Sequence, residues 1–297
     1  MDKLYAPGTI KKIKNKHHFQ LSKSLGQNFL TDGAIVDQII ASADAGSADL
    51  VIEIGPGVGV LTAAAAQTAG KVIAVEIDKN LIPILRETLS EFPNIEIINR
   101  DILKTDLREI LSQNEEINGQ RRTGVKIIGN LPYYITTPII MKLLEDGIAA
   151  DSLTIMLQKE VADRILAGPG SKTYGALSVA VQYYSTVTLV TQVPKEVFIP
   201  RPKVDSAVLR LDLRKQKPVA LRSEAAFFAT VRSGFGQRRK TLLNSLTGVL
   251  GTTRDEIGAV MEQLAIDSKR RAETLSIEEF AALSNAIYEH TQENLNK

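Results

Sequence analysis

The chain has 297 residues, which is long enough for one large domain together with a smaller one. Its 36 Lys and Arg residues nearly balance 34 Asp and Glu residues, so overall charge does not by itself indicate a nucleic-acid partner. The absence of Cys excludes disulfides and Cys-ligated metal sites. No apolar run approaches membrane-spanning length and no signal peptide is evident, so we expect a cytoplasmic protein without a membrane partner.

Positive charge is concentrated in two places. One cluster is Arg232 with Arg238-Arg239-Lys240, and no acidic residue lies between positions 225 and 254. Each cluster alone is typical of a solvated surface, and the two together indicate a polyanionic partner only if a site of matching chemistry lies beside them. The other cluster lies within residues 1–31, where Asp2 is the one acidic residue. Its six lysines are Lys3, Lys11, Lys12, Lys14, Lys16 and Lys23.

Short apolar runs alternate with helical patterns between residues 50 and 213. This alternation predicts an α/β fold with a Rossmann-like, mostly parallel sheet and helices on both faces. The last two strands have no helix between them, which predicts that one of them is antiparallel. Strands are predicted at 50–54, 72–77, 95–98, 125–128, 153–157, 187–193 and 207–211, and helices at 58–67 and 81–89.

The pattern changes near residue 215, after which only helices are predicted. They cover residues 225–231, 238–250, 256–264 and 277–288, and Ser276-Ile277-Glu278-Glu279 fits a capping box. We therefore predict three parts, which are a basic N-terminal arm (1–30), the α/β domain (31–215) and a small all-helical domain (216–297).

A glycine-rich turn and two acids close three successive predicted strands. Gly55-Pro56-Gly57-Val58-Gly59 follows the first strand, where glycines let the backbone approach a ligand closely. Glu76 ends the second strand, where an acid accepts ribose hydroxyls. Asp101 follows the third and is able to accept from an adenine amino group. This ordered set predicts a groove shaped for a nucleoside.

Two other nucleotide sites are less consistent with the residues. An NAD site has the spacing GxGxxG, whereas the spacing here is GxGxG. The stretch 167–173 resembles a P-loop, but Ser171 separates Gly170 from Lys172 and the leading Gly is absent. We interpret that stretch as a mobile loop near the site.

Asn130-Leu131-Pro132-Tyr133 follows the buried strand predicted at 125–129. An Asn, a Pro and an aromatic ring at the end of a strand form a polar clamp with a flat stacking wall. Such a clamp suits a planar amine, for example the exocyclic amino group of adenine. Four other stretches of the sequence are more specific than the clamp: Lys23-Ser24-Leu25-Gly26-Gln27-Asn28-Phe29-Leu30, Gln158-Lys159-Glu160-Val161-Ala162, Pro202-Lys203-Val204-Asp205-Ser206-Ala207-Val208 and Phe235-Gly236-Gln237-Arg238-Arg239-Lys240-Thr241-Leu242.

The glycine turn, the two acids and the clamp resemble the ordered motifs of S-adenosylmethionine-dependent adenine-N6 methyltransferases. With the four additional stretches, the chain is similar to bacterial small-subunit ribosomal RNA adenine dimethyltransferases from about residue 19 to 288. Residues 1–16 are an unmatched basic extension whose role is open.

The resemblance implies S-adenosylmethionine as methyl donor and, as substrate, two adjacent adenosines in the 3′-terminal hairpin loop of 16S rRNA, within the small subunit or its precursor. It implies a monomer without a metal, with phosphate contacts from the arm and from the helical domain. The implied cofactor residues are those of the groove and clamp together with three from the N-terminal segment: Gln27, Asn28, Leu30, Gly55, Gly57, Glu76, Asp101 and Asn130.

For catalysis we expect the side-chain oxygen of Asn130 and the carbonyl of Leu131 to accept the two N–H bonds of the adenine amine. Pro132 belongs to the same clamp, Tyr133 stacks on the base, and the resemblance implies a second aromatic wall from Phe198. The alternative for Phe198 is an ordinary core position. A monomethylated amine keeps one N–H, so both acceptors cannot be essential in the second transfer.

Three rival functions stay open at this point. A macrolide-resistance methyltransferase that acts on large-subunit rRNA shares the fold and the clamp. A DNA adenine methyltransferase more often has Pro in place of Leu131 and a larger recognition region. The third rival belongs to a different class of function, a checkpoint of ribosome assembly that acts mainly through binding.

Overall fold

The computed structural model describes residues 3–19, 22 and 25–295, so Lys23 and Ser24 of the predicted motif lie outside the described part. The helices are α1 Pro7–Lys16, α2 Gly33–Ala43, α3 Val60–Ala66, α4 Ile82–Thr88, α5 Leu107–Ser112, α6 Thr136–Glu145, α7 Lys159–Leu166, α8 Ala176–Tyr184, α9 Glu224–Gly236, α10 Leu242–Leu246, α11 Arg254–Gln263 and α12 Ile277–Leu295. The strands are β1 Phe29–Leu30, β2 Asp49–Ile54, β3 Lys71–Glu76, β4 Ile95–Asn99, β5 Glu116–Ile117, β6 Gln120–Arg121, β7 Gly124–Asn130, β8 Ser152–Gln158, β9 Ser185–Val193, β10 Phe198–Ile199 and β11 Ser206–Leu213.

The central sheet has seven strands in the order β4-β3-β2-β7-β8-β11-β9. Strands β4, β3, β2, β7 and β8 are parallel to one another, and β11 pairs antiparallel with β8. The predicted mixed sheet is therefore confirmed. Strands β2 and β8 are buried along nearly their whole length, as expected for strands covered on both faces. The chain moves outward from β2 to β4 and returns beside β2 as β7, which creates a switch point where such sheets bind ligands.

The chain divides into two compact units. One contains residues 1–162 and 186–213, and the other contains residues 163–185 and 214–297. The break after residue 213 lies next to the boundary predicted at residue 215, while residues 163–185 belong to the second unit by packing. The predicted division at residues 30 and 215 stays a prediction.

The predicted N-terminal arm contains the helix α1. Pro7 occupies the first turn, where its missing N–H costs nothing, and Ile10 and Ile13 lie on one face and are buried in the core of the first unit. The ammonium group of Lys16 lies 2.6 Å from the carboxylate of Glu87 on α4. Part of the arm is therefore a folded, packed helix.

In the second unit, the prediction of a helix over residues 238–250 is wrong. Helix α9 ends at Gly236, residues 237–241 form a turn, and α10 is a short helix from Leu242 to Leu246. The Arg238 guanidinium donates to the carbonyl oxygens of Lys172 and Tyr174, both at 2.9 Å. The basic cluster Arg238-Arg239-Lys240 is therefore on a turn, because these tertiary bonds and a glycine at the end of α9 compete with helix continuation.

None of the described helices has the length and apolar character needed to cross a membrane.

Glu53 on β2 is a buried carboxyl group beneath α3. It is 1% exposed, and the Thr62 hydroxyl donates to it at 2.5 Å. Burial raises the pKa of Glu53 to about 8, the Thr62 hydrogen bond opposes that rise, and the charge of Glu76 adds to it. Burial therefore favours the protonated, neutral form of Glu53 in the folded protein.

We predict that Glu53 makes folding less favourable as pH rises. Its folded pKa is raised, so between about pH 4.5 and 8 the folded state holds a proton that the unfolded state releases, and stability falls across this window by at most ~1.4 kcal/mol per pH unit. Glu53→Gln should flatten this slope in urea-unfolding midpoints measured from pH 5 to 9. The exposed Glu116→Gln serves as control, and parallel profiles for wild type and Glu53→Gln would contradict the prediction.

Candidate active site

One cleft in the first unit gathers most of the predicted site residues. It lies where β2, β3, β4 and β7 end, and about 1000 Å³ within it, including open solvent at its mouth, is free of protein atoms. A cleft at the carboxyl ends of parallel strands, lined by apolar side chains and a few polar groups, is a typical ligand-binding site. Eleven of the twelve predicted residues line it: Gln27, Asn28, Leu30, Gly55, Gly57, Glu76, Asp101, Asn130, Leu131, Pro132 and Tyr133.

The glycine turn between β2 and α3 needs its glycines for two physical reasons. Gly55 and Gly57 have φ angles of +70° and +62°, in the left-handed region that side chains disfavour. A Cβ on Gly57 would also lie 3.0 Å from the Phe29 ring. The turn therefore brings backbone close to the N-terminal segment and leaves open space in the cleft.

Glu76 at the end of β3 is a buried carboxyl group that lines the cleft, and it is 4% exposed. Its Oε1 accepts from the backbone N–H of Asp78 at 2.7 Å. Burial raises the pKa of Glu76 to about 7, and backbone hydrogen bonds from Asp78 and Gly57 oppose that rise. A carboxylate in this position is suited to accept hydrogen bonds from ligand hydroxyls.

Asp101 and two apolar residues form the far wall of the cleft. Oδ1 of Asp101 accepts from the backbone N–H of Leu103 at 2.9 Å, and no described protein group binds its other oxygen. Ile77 is 49% exposed, and Ile102 lines the same cleft. A free carboxylate oxygen beside apolar side chains suits a flat base with an amino group.

The N-terminal segment 25–30 covers the cleft from the other side. Gln27 Nε2 donates to Asp78 Oδ2 at 2.8 Å, which ties this segment to the loop after β3. The carbonyl oxygen of Asn28 accepts from Asn130 Nδ2 at 2.8 Å, which ties it to the end of β7. Two hydrogen bonds therefore connect the segment to both edges of the cleft.

The clamp at the end of β7 has its acceptors available. Since Asn130 Nδ2 is used by Asn28, the Asn130 Oδ1 is the group left for a ligand. The N–H of Leu131 donates to the carbonyl of Met156 at 3.0 Å. The carbonyl oxygen of Leu131 has no partner among the described residues. The Tyr133 hydroxyl lies 2.6 Å from Ser206 Oγ, which fixes the ring.

Phe198 is the predicted residue that does not line the cleft. It is 3% exposed, packs in the core of the first unit and pairs with Leu30 through the short ladder between β1 and β10. This placement matches the core alternative, and its stacking role stays a prediction. Sequence reasoning also missed two cleft residues, Ile77 and Tyr134, and it missed Asp78 as the hydrogen-bond partner of Gln27. The only available signal was their position beside the predicted motifs.

Across residues 3–19, 22 and 25–295, no three His, Asp or Glu side chains lie close enough together to hold a metal ion.

Comparison with known proteins identifies the group to which these motifs belong. The family model for ribosomal RNA adenine dimethylase matches residues 18–289. A relative named Ribosomal RNA small subunit methyltransferase A, from Alkaliphilus oremlandii (strain OhILAs), is 52% identical over 288 residues, or 97% of this chain and 99% of the relative. The family model begins at residue 18, in agreement with the match expected from about residue 19 to 288, while the alignment with this relative extends into residues 1–16.

Solved structures support the fold. A dimethyladenosine transferase from Plasmodium falciparum gives a TM-score of 0.74 at 26% identity, covering 89% of this chain and 98% of that one. The 23S rRNA methyltransferase ErmE gives a TM-score of 0.65 at 26% identity, covering 88% of this chain and 99% of that one. With a family match over most of its length and a relative half identical nearly from end to end, the chain belongs to the ribosomal RNA adenine dimethylase family.

Proposed function

We propose that this enzyme transfers methyl groups from S-adenosylmethionine to the N6 amino groups of two adjacent adenosines in the 3′-terminal hairpin loop of 16S rRNA, during biogenesis of the small ribosomal subunit. The choice of small-subunit RNA rests on a difference in sequence identity. The chain is 52% identical to a protein named for the small subunit but 26% identical to ErmE, which is named for 23S rRNA. The proposal places the protein in the cytoplasm, where bacterial ribosomal subunits assemble.

The cleft has the donor and acceptor groups that S-adenosylmethionine requires. Glu76 is a buried acceptor for the ribose hydroxyls, and the free oxygen of Asp101 accepts from the adenine amino group. Gly55 and Gly57 keep the adjacent space clear, and the segment that contains Gln27, Asn28 and Leu30 covers it. When bound, S-adenosylmethionine supplies an electrophilic methyl group on a sulfonium.

The clamp makes the target nitrogen nucleophilic. The lone pair of the adenine amine is conjugated into the ring, so the amine is a poor nucleophile. Asn130 Oδ1 and the Leu131 carbonyl accept its two N–H bonds, which favours a tetrahedral nitrogen with an available lone pair. Tyr133, held by Ser206, stacks on the base, and such stacking contributes roughly 1–3 kcal/mol per base.

The second methylation uses the same clamp with one acceptor fewer. After the first transfer the nitrogen keeps a single N–H, so either Asn130 or Leu131 accepts it while the other makes room for the new methyl group. The released proton leaves to water. Rate enhancement then comes mainly from proximity and alignment of the amine, which does not require a catalytic acid or base.

The substrate base has to be unpaired to enter this cleft. A hairpin loop offers such bases at low energetic cost, whereas a paired base would first have to be rotated out of its duplex. The lysines of α1 and the basic turn Arg238-Arg239-Lys240 are proposed phosphate contacts, whose contribution falls as salt rises. We propose that the protein acts as a monomer on the small subunit or its precursor.

The choice of substrate is tested with labelled S-adenosylmethionine. Small subunits that lack dimethyladenosine should become labelled, whereas fully dimethylated small subunits and large subunits should not, because only the first offer unmodified loop adenosines. Mass spectrometry of the labelled RNA should place the product at two adjacent adenosines. Label in large-subunit RNA instead would favour the 23S rRNA function and overturn this choice.

Replacing Asn130 should abolish most of the chemistry. Asn130→Ala removes one acceptor for the amine, so we expect the single-turnover methylation rate to fall about a hundredfold or more, in the range seen when an active site loses one positioned hydrogen-bonding group. Asn244→Ala, which alters an exposed Asn outside the cleft, serves as control. If Asn130→Ala supported full subunit assembly in cells without methylating, the assembly checkpoint would be the main function.

Glu76 should make donor binding dependent on pH. Its pKa of about 7 in the free protein means that the carboxylate form is lost below neutral pH, so the Kd for S-adenosylmethionine should rise as pH falls from 8 to 6. Calorimetry should show this dependence for wild type, a flat profile for Glu76→Gln, and much weaker binding for Glu76→Ala because the ribose hydroxyls lose their acceptor. An unchanged Kd in Glu76→Ala would remove Glu76 from the donor site.

A further inference from the structure

Two consecutive tyrosines at the end of β7 have different surroundings. Tyr133 is held by the bond to Ser206 described above, whereas Tyr134 is 56% exposed and lines the same cleft. A turn closed by the bond from the Ile135 N–H to the Pro132 carbonyl, at 3.2 Å, positions both residues. Only Tyr133 is therefore committed to an internal partner.

The exposure of Tyr134 is unusual within the described part of the chain. It is the most exposed of the large hydrophobic residues there, since the others above one third exposure range from 36% to 49%. Its hydroxyl group makes no hydrogen bond to any described residue. A large apolar ring left in solvent beside a binding cleft is typical of a contact surface for a ligand.

The Tyr134 ring is also supported in its position. A Cβ on Gly26 would lie 3.4 Å from Cδ1 and 3.6 Å from Cε1 of the ring, so one edge of the ring packs against the backbone of Gly26. Gly26 has a φ of +59°, which favours glycine there. Support of this kind reduces the entropy lost when a base stacks on the ring.

We propose that Tyr134 stacks on the nucleotide next to the target, the second of the two adjacent adenosines, while the clamp holds the first. This inference rests on the proposed function. Unpaired loop bases are commonly bound by stacking on aromatic side chains. Tyr134 adjoins the clamp in sequence and lines the same cleft, so it meets the neighbouring base of the strand whose target base contacts Tyr133. Tyr134 is thus a substrate-binding residue that contacts the base beside the target.

The test uses full-length protein and small subunits that lack dimethyladenosine. Tyr134→Ala should raise the KM for the subunit about tenfold, which corresponds to ~1.4 kcal/mol and lies within the range for one stacked base. The Kd for S-adenosylmethionine should change less than about twofold. Tyr134→Phe should restore the wild-type KM because it keeps the ring, and Leu189→Ala, an exposed apolar residue outside the cleft, should leave both values unchanged.

A second readout reports stacking directly. Small subunits reconstituted with 2-aminopurine in place of the second adenosine should lose fluorescence on binding wild type or Tyr134→Phe, and should keep it on binding Tyr134→Ala. If Tyr134→Ala leaves KM and quenching at wild-type values while wild type is active, the inference is wrong and the proposed function stands. A raised donor Kd with unchanged KM would assign Tyr134 to the covering segment and also overturn the inference. If wild type does not label small subunits at all, the proposed function fails.

Discussion

The hydrogen bond from Asn130 Nδ2 to the Asn28 carbonyl is the constraint on which the organisation of the cleft depends. An amide group is planar, with its oxygen and nitrogen on opposite sides, so fixing the nitrogen also fixes the direction of the oxygen. The Asn130 oxygen, the proposed acceptor for the target amine, is therefore oriented by the covering segment. The same segment reaches the loop after β3 through the bond from Gln27 to Asp78, so the proposed donor and amine sites share one set of hydrogen bonds.

Two buried carboxyl groups on adjacent strands, Glu53 and Glu76, have different roles although burial raises both pKa values. Burying an ionised carboxylate is costly unless it is fully hydrogen-bonded. Glu53 meets this constraint by remaining protonated beside Thr62. Its neutrality spares the cleft a second negative charge next to Glu76. Glu76, with a pKa near neutrality and backbone donors around it, is the carboxyl group that readily ionises when ligand hydroxyls become available.

The sheet and its ligand-binding edge could be predicted from sequence because they depend on local patterns. Buried apolar runs identify the strands, and the glycine turn, Glu76, Asp101 and Asn130 each follow or end one of them. Other features depend on contacts distant in sequence. Phe198 is drawn into the core by pairing with Leu30, and Arg238 is held by carbonyls of a loop more than sixty residues earlier. The packing of α1 rests on only two isoleucines, too few to separate a packed helix from a solvated basic arm.

The shared fold does not explain which RNA is modified. The Plasmodium falciparum dimethyladenosine transferase and ErmE are each 26% identical to this chain and have the same architecture over nearly 90% of it, although the latter is named for 23S rRNA. In the proposed function the clamp binds an adenine amine, which every adenosine carries, so the clamp alone cannot choose among RNAs. Selection has to come from groups that meet the RNA beyond the target base. Tyr134 at the cleft and the basic turn of the second unit are the groups that we propose for this selection. The first is suited to stack on an unpaired base next to the target, and the second to contact phosphates wherever the fold of the subunit brings them.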